Sequence, residues 1–267
     1  MHVYVCIKEI QNPEIAASVF RVDEAKMEVI PVPGLPLVTS PFDEQAIEAA
    51  LRIRDQLPDT KISLVSLGAL TAQAALKRGL SMGADDGILV SDPGFQAIGS
   101  HGVARVLAEA IKKAGDFNLI LTGRQAADWD AGIVGCGIAE LLGVPVVTFA
   151  KGVRIENGRA IVERVLDDGF ETVAATLPCV VTISNELGEP RKASLRETMR
   201  AAKKPLATWN AEALGLSGGA LTASSGHQRR ERLFIPARDI QCEYFDGASP
   251  AEIARELAAR LAAAKLI

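Results

Sequence analysis

The chain has 267 residues, 48% of them hydrophobic and 23% charged, with a formal net charge of −4. That length suits one large domain, or one domain with an appendage. The composition excludes disordered and collagen-like chains, and an acidic balance without massed Lys and Arg argues against a nucleic-acid partner.

In chain order, the first part alternates strand-like and helix-like segments. Residues 3–7 read as a buried strand. Residues 43–57 read as a helix, with Ala46, Ile47, Ala50, Leu51 and Ile53 on one face. Its start is marked by Ser40 as a cap, Pro41 at the first helical position and Asp43 completing a capping-box pattern. Strands follow at 61–67, 87–90, 117–122 and 144–148. Helices are expected at 71–82, 101–114 and 131–142, stopped by Gly83, Gly115 and Gly143. This alternation predicts an α/β fold, a doubly wound and mostly parallel sheet with helices on both faces. Ligands of such sheets bind outside the carboxyl ends of the strands.

The pattern changes after Ala150. Residues 152–156 and 160–166 flank Asn157-Gly158, a strong hairpin signal, and strands continue at 170–176 and 179–184. They form a small β-strand insert near 151–176. A basic segment at 190–204 surrounds Leu195 and Met199. Residues 207–228, rich in Gly, Ser and Ala, read as a linker. A C-terminal arm follows, with a short strand-like run at 233–235 and a helix from Ser249. The expected division is therefore an α/β domain at 1–206 and a linker with arm at 207–267. The terminal helix carries Ile253, Leu257 and Leu261 as one apolar stripe, which can dock on its own core or on a partner subunit.

Arg229, Arg230 and Arg232 form a short basic cluster that suits a solvated loop. Cys6, Cys136, Cys179 and Cys242 are far apart and His2, His101 and His227 are isolated, so no metal centre is expected. Residues 1–9 show no signal-peptide pattern, and no segment approaches the roughly 20 apolar residues of a membrane span. A cytoplasmic location and no membrane insertion are expected. The sequence lacks a P-loop, a first-strand dinucleotide fingerprint and a nucleophile elbow. Ser217-Gly218-Gly219 lies in the linker and reads as spacer.

The informative stretch is Gly123, Arg124, Gln125, Ala126, Ala127, Asp128, Trp129, Asp130, Ala131, Gly132, Ile133, Val134 and Gly135. It leaves a strand and enters a helix, where free amides and a partial positive charge favour phosphate. Ala131, Gly132 and Gly135 are small enough to let one approach. Asp128 and Asp130 could cap the helix or accept from ribose hydroxyls. A plain capped strand–loop–helix connection explains the same residues.

Ser40-Pro41-Phe42-Asp43-Glu44, this loop, and Glu189-Pro190-Arg191 with Ser194-Leu195, Met199 and Lys203-Lys204-Pro205 occur together and in order. Glu163-Arg164 before Asp167-Asp168-Gly169 adds a looser match. Along nearly its whole length the chain resembles the beta subunit of electron transfer flavoproteins. That resemblance implies a non-enzymatic electron carrier, pairing with an alpha subunit that holds most of a shared FAD. The pair would serve an acyl-CoA or other flavin dehydrogenase and a downstream acceptor. It implies a second adenine nucleotide in this chain, AMP in the common type and FAD in the electron-bifurcating type. By position, the contacts fall at Cys6, Ser40, Pro41, Phe42, Asp43, Leu67 and Gly123 through Val134, with Cys6 and Leu67 acting through backbone atoms.

At the helix start the AMP type reads Asn-Gln-Thr-Gly, whereas this chain has Gly132-Ile133-Val134-Gly135. Val134 lacks the hydroxyl that binds the phosphate, so the resemblance favours FAD over AMP. The loop also departs from the bifurcating type, carrying Ala131 and Ile133 for its Thr and Gln, and Trp129 where a small or acidic residue is usual. Leu195 matches the apolar anchor that inserts into partner dehydrogenases, with Met199 and Arg191 beside it. By residue chemistry alone, Leu195 and Met199 could equally be an i, i+4 pair packed on the core. The alternative to the carrier subunit is a stand-alone adenine-nucleotide-binding regulatory module of the stress-protein type.

Overall fold

The computed structural model describes every residue except 96–97, 217–229, 238–241 and 248. Its strands are β1 (His2–Ile7), β2 (Glu9–Ile10), β3 (Arg21–Asp23), β4 (Glu28–Ile30), β5 (Val38–Thr39), β6 (Lys61–Leu67), β7 (Asp86–Val90), β8 (Leu119–Gly123), β9 (Val146–Glu156), β10 (Arg159–Leu166), β11 (Gly169–Thr176), β12 (Cys179–Ile183) and β13 (Leu206–Trp209). Its α-helices are α1 (Pro41–Gln56), α2 (Gln73–Met82), α3 (Ser100–Ala114), α4 (Val134–Leu142), α5 (Leu195–Ala201) and α6 (Pro250–Ala263).

The main sheet has nine strands in the order β11-β10-β9-β12-β8-β1-β6-β7-β13. From β9 to β13 every neighbouring pair is parallel, and β10 and β11 add an antiparallel edge. The parallel strands are apolar runs because both faces are covered. Ile47 and Leu51 of α1 and Leu76 and Leu80 of α2 pack on one face with Val3, Val5 and Leu64. Val106 and Ile111 of α3 and Ile138 of α4 pack on the other with Tyr4, Val65 and Ile120. The order reverses between β1 and β8, since β1 leads outward to β6 and β7 while β8 returns to its other side. Such a reversal opens a crevice at the strand ends.

Several expectations are corrected. The strands expected at 144–148 and 152–156 are one strand, β9. Phe149 takes a positive φ of 59°, and register shifts on both sides let the chain bend without leaving the sheet. The insert thus extends the main sheet, and Asn157 and Gly158 make its turn with φ of 49° and 72°. The expected linker fails at its start, because 206–209 is the edge strand β13, paired with β7. Residues 217–228 of that linker lie outside the described residues, as does Arg229. Residues 233–235 form no strand, and α4 begins at Val134 rather than at 131.

Two compact units divide the chain: Met1–Arg21 with Val29–Glu231, and Val22–Glu28 with Arg232–Ile267. In the second, α6 is capped by Ser249, whose side chain accepts from the Glu252 amide. That helix has no buried residue, and Leu257 is 43% exposed.

Candidate functional site

The capping pattern at α1 turns outward to other strands. Ser40 makes no side-chain cap; its Oγ accepts from the Ala127 amide at 3.4 Å. The Asp43 side chain does not reach back to the Ser40 amide, which donates to the Lys8 carbonyl instead. Its Oδ2 accepts from the Lys8 amide at 2.8 Å and its Oδ1 from the Gly123 amide at 3.1 Å. One buried carboxylate therefore joins the residue that follows β1 to the residue that ends β8, on either side of the switch point. Burial pushes the Asp43 carboxyl up to about 7, against the pull of the Lys8 and Gly123 amides and the Lys8 charge.

Two glycines set the approach. A Cβ on Gly123 would lie 2.6 Å from Asp43 Oδ1 and 2.7 Å from Phe42 Cβ. One on Gly135 would lie 2.7 Å from both Thr122 Oγ1 and Thr182 Cγ2. These positions admit only glycine without a shift, which keeps the loop and the start of α4 against the strand ends.

The loop between them is tied by its own side chains. Asp128 Oδ2 meets Lys8 Nζ at 2.6 Å, and Asp128 Oδ1 accepts from the Trp129 amide. Gln125 Nε2 donates to Asp130 Oδ1 at 2.8 Å, and the Asp130 amide donates to the Ala126 carbonyl. Neither aspartate caps α4. Asp130 and Gly132 have φ of 49° and 66°, and these left-handed residues delay the helix. Ile133 stands at its N-cap without a side-chain cap bond. The first-turn amides of α4, from Val134 onward, have no acceptor within the helix ladder.

Arg124 has its guanidinium 4.9 Å from the Phe42 ring centre and 5.8 Å from that of Phe149, and its Nη1 reaches Ser184 Oγ at 3.4 Å. Its Nε is buried without a hydrogen-bond partner. Trp129 is 45% exposed, with the Arg230 guanidinium 4.1 Å over its ring. Cys6 is buried in β1 opposite Thr122 and Val65, and burial and Asp43 push its thiol up to about 12, so it serves as a packed side chain. Leu67 closes β6, half-buried. The structure thus brings Ser40, Asp43, Gly123, Ala127 and Asp128 into one bonded network at the switch point. Lys8, Thr122, Thr182 and Phe149 were not anticipated. For Lys8 a signal existed, as the first polar residue after the first strand.

The second candidate region is separate. Leu195 is 79% and Met199 68% exposed on α5, which excludes packing on the core. Arg191 is engaged within the chain, its Nε 2.8 Å from Glu48 Oε2 and its Nη2 2.7 Å from Asp55 Oδ2. Among the described residues no cluster of His, Cys, Asp or Glu could hold a metal ion, and no helix is long and apolar enough to cross a membrane.

Fold and site together define a doubly wound α/β protein whose Asp43-centred network sits at the topological switch point of its sheet. Residues 34–214 match the family model described as electron transfer flavoprotein domain, and the chain belongs to the electron transfer flavoprotein family. It is 34% identical over 261 residues, 98% of each chain, to the caffeyl-CoA reductase-Etf complex subunit CarD of Acetobacterium woodii. It is 34% identical over 242 residues, 88% of each chain, to the electron transfer flavoprotein subunit beta of Megasphaera elsdenii. It is also 31% identical over 217 residues, 80% of this chain and 79% of the other, to the acryloyl-CoA reductase electron transfer subunit gamma of Anaerotignum propionicum. The chain is a beta-type, electron-carrier subunit.

Proposed function

We propose that this subunit pairs with an alpha subunit and carries electrons between a flavin dehydrogenase acting on acyl-CoA and a downstream acceptor. The alpha subunit holds the shared FAD, and this chain holds a second adenine nucleotide at its own switch point. A bound flavin supplies the electron-accepting and electron-donating chemistry. The protein's own residues bind and orient.

The observation that carries the reading is the tie through buried Asp43 between Lys8, which follows β1, and Gly123, which ends β8. Gly123 and Gly135 hold the loop and the start of α4 against the strand ends, where the first-turn amides of α4 have no acceptor within the helix. Arg124, whose Nε is buried and unpartnered, adds positive charge in the same loop. This donor set fits phosphate. FAD is favoured over AMP because Val134 offers no hydroxyl to a terminal phosphate, forgoing a bond worth about 1.5–3 kcal/mol. A diphosphate can run past Val134 and Gly135 on backbone amides alone.

Leu195 and Met199 on α5 form the apolar contact for the dehydrogenase, ringed by Arg196, Arg200 and Lys203. The CoA-linked names of two relatives support that partner class. The unburied stripe of α6 supports contact between the C-terminal arm and the alpha subunit.

The test is to co-express the chain with its alpha partner, denature the purified heterodimer and quantify the released flavin and AMP. Two FAD per heterodimer are expected, the content of the electron-bifurcating type. One FAD with one AMP would overturn the dinucleotide assignment. A flavin-free monomer would overturn the pairing itself.

A further inference from the structure

Helix α1 carries Gln45, Glu48, Arg52 and Asp55 at spacings of three, four and three residues, which place them along one face. All four hold the segment that follows β12. Gln45 Nε2 donates to the carbonyls of Asn185 at 3.3 Å and Gly188 at 3.4 Å. Arg52 Nη1 donates to the Leu187 carbonyl at 3.0 Å. Glu48 Oε2 accepts from the Arg191 amide at 3.1 Å and from its Nε at 2.8 Å. Glu48 Oε1 accepts from Arg191 Nη2 at 3.2 Å and Arg52 Nε at 2.9 Å. Asp55 Oδ2 closes the row on Arg191 Nη2.

Glu48 is buried, and burial alone would raise its carboxyl; the bonds from Arg191 and Arg52 outweigh that and hold it below the usual range. A buried carboxylate with four donors is specific to one geometry of its partners. Beyond α5, Lys204 Nζ donates to the Leu80 carbonyl at 2.9 Å and the Ala84 carbonyl at 2.6 Å, at the end of α2. Helix α5 is only seven residues long. A helix so short has little stability of its own, so its pose depends on its packing against α2 through Ala201 and on what fixes its ends.

We propose that Arg191, gripped by Glu48 and Asp55, is a positioning residue that fixes the pose in which α5 presents Leu195 and Met199 to the electron-transfer partner. The proposal rests on α5 being the docking element. Arg191 itself then acts inside the chain, through the helix that follows it.

The test uses the holo-heterodimer and an acyl-CoA dehydrogenase reduced by its acyl-CoA substrate. KM for the heterodimer, kcat, flavin content and hydrogen exchange of residues 192–201 are measured for Leu195→Ala, Arg191→Ala, Arg191→Lys and the double variant Arg191→Ala/Leu195→Ala. Arg191→Ala is expected to raise KM about tenfold with kcat and flavin content unchanged, and to speed exchange in 192–201, because the misplaced hot spot no longer meets its pocket. Arg191→Lys, which keeps the charge but not the fork, recovers part of the loss. In the Leu195→Ala background the Arg191→Ala step adds less than about twofold, the sign of two residues acting through one contact. Fully multiplying effects, or an unchanged KM in Arg191→Ala while Leu195→Ala raises it, would overturn the clamp. An unchanged KM in Leu195→Ala would instead remove the docking reading, and the proposal with it.

Discussion

The loop after β8 and the segment after β12 leave neighbouring strands of one sheet, and α1 holds both by different means. At its start, α1 fixes the Gly123 loop through Asp43 and Ser40, by bonds to backbone amides in a nearly closed space. Along its middle it fixes residues 185–191 through a charged row centred on Glu48. The first arrangement packs Gly123 against Asp43 and Phe42 with no room for a methyl group. The second holds up a convex helix with two large apolar side chains in solvent. A ligand site needs donors held at fixed positions, whereas a docking element needs an exposed anchor on a firm base. One helix provides both because its two ends and its polar face are chemically independent.

The comparison breaks most sharply at Gly123. Gly123→Ala places a Cβ against Asp43 Oδ1 and Phe42, and overpacking with backbone displacement is expected to cost about 3 kcal/mol. Urea unfolding measures the loss, and nucleotide content should fall with it. An unaffected variant would show that the Asp43 contact yields easily.

Asp43 gives the next effect, through pH. Its folded-state value of about 7 lies above the unfolded value of roughly 3.9. The folded protein therefore binds an extra proton between those values. The stabilisation is complete below about pH 4 and is lost as pH rises through about 7. Asp43→Asn cannot titrate, so the Tm of the parent minus that of the variant should shrink from pH 5 to pH 8. A constant difference would mean that the Lys8 and Gly123 amides keep the carboxylate ionised throughout.

Smaller still, Val134→Thr adds a hydroxyl at the first residue of α4. It should improve AMP retention by about 1.5 kcal/mol, roughly tenfold, in nucleotide exchange against FAD. No gain would place the phosphate away from this residue. The smallest effect marks the other region. Leu195→Ala should change unfolding stability by less than about 0.5 kcal/mol, because its side chain is in solvent.

These particulars show how far the sequence could be read. Ser40, Pro41 and Asp43 stood out as a helix start, but their acceptor and donor partners did not, since Asp43 bonds residues 35 and 80 positions away. The end of the expected helix 131–142 was right at Gly143, which adopts the left-handed conformation. Its beginning was wrong because Asp130 took a left-handed conformation that glycine usually supplies. Strand β13 was hidden in a stretch rich in small residues. Its identity as a strand comes from pairing with β7, more than a hundred residues earlier in the chain.

The sequence by itself determined the alternation of buried strands and amphipathic helices, the hairpin turn at Asn157-Gly158 and the glycine helix stops, because local sterics and periodicity govern those. It also carried the family signatures at Ser40–Asp43, Gly123–Gly135 and around Leu195. Only the tertiary structure decided that Asp43 ties Lys8, just after β1, to Gly123 at the end of β8, that Leu195 and Met199 face solvent, and that Arg191 turns inward to Glu48 and Asp55. Those outcomes depend on which groups the sheet order brings within hydrogen-bond reach. Spacing along the chain does not contain that information.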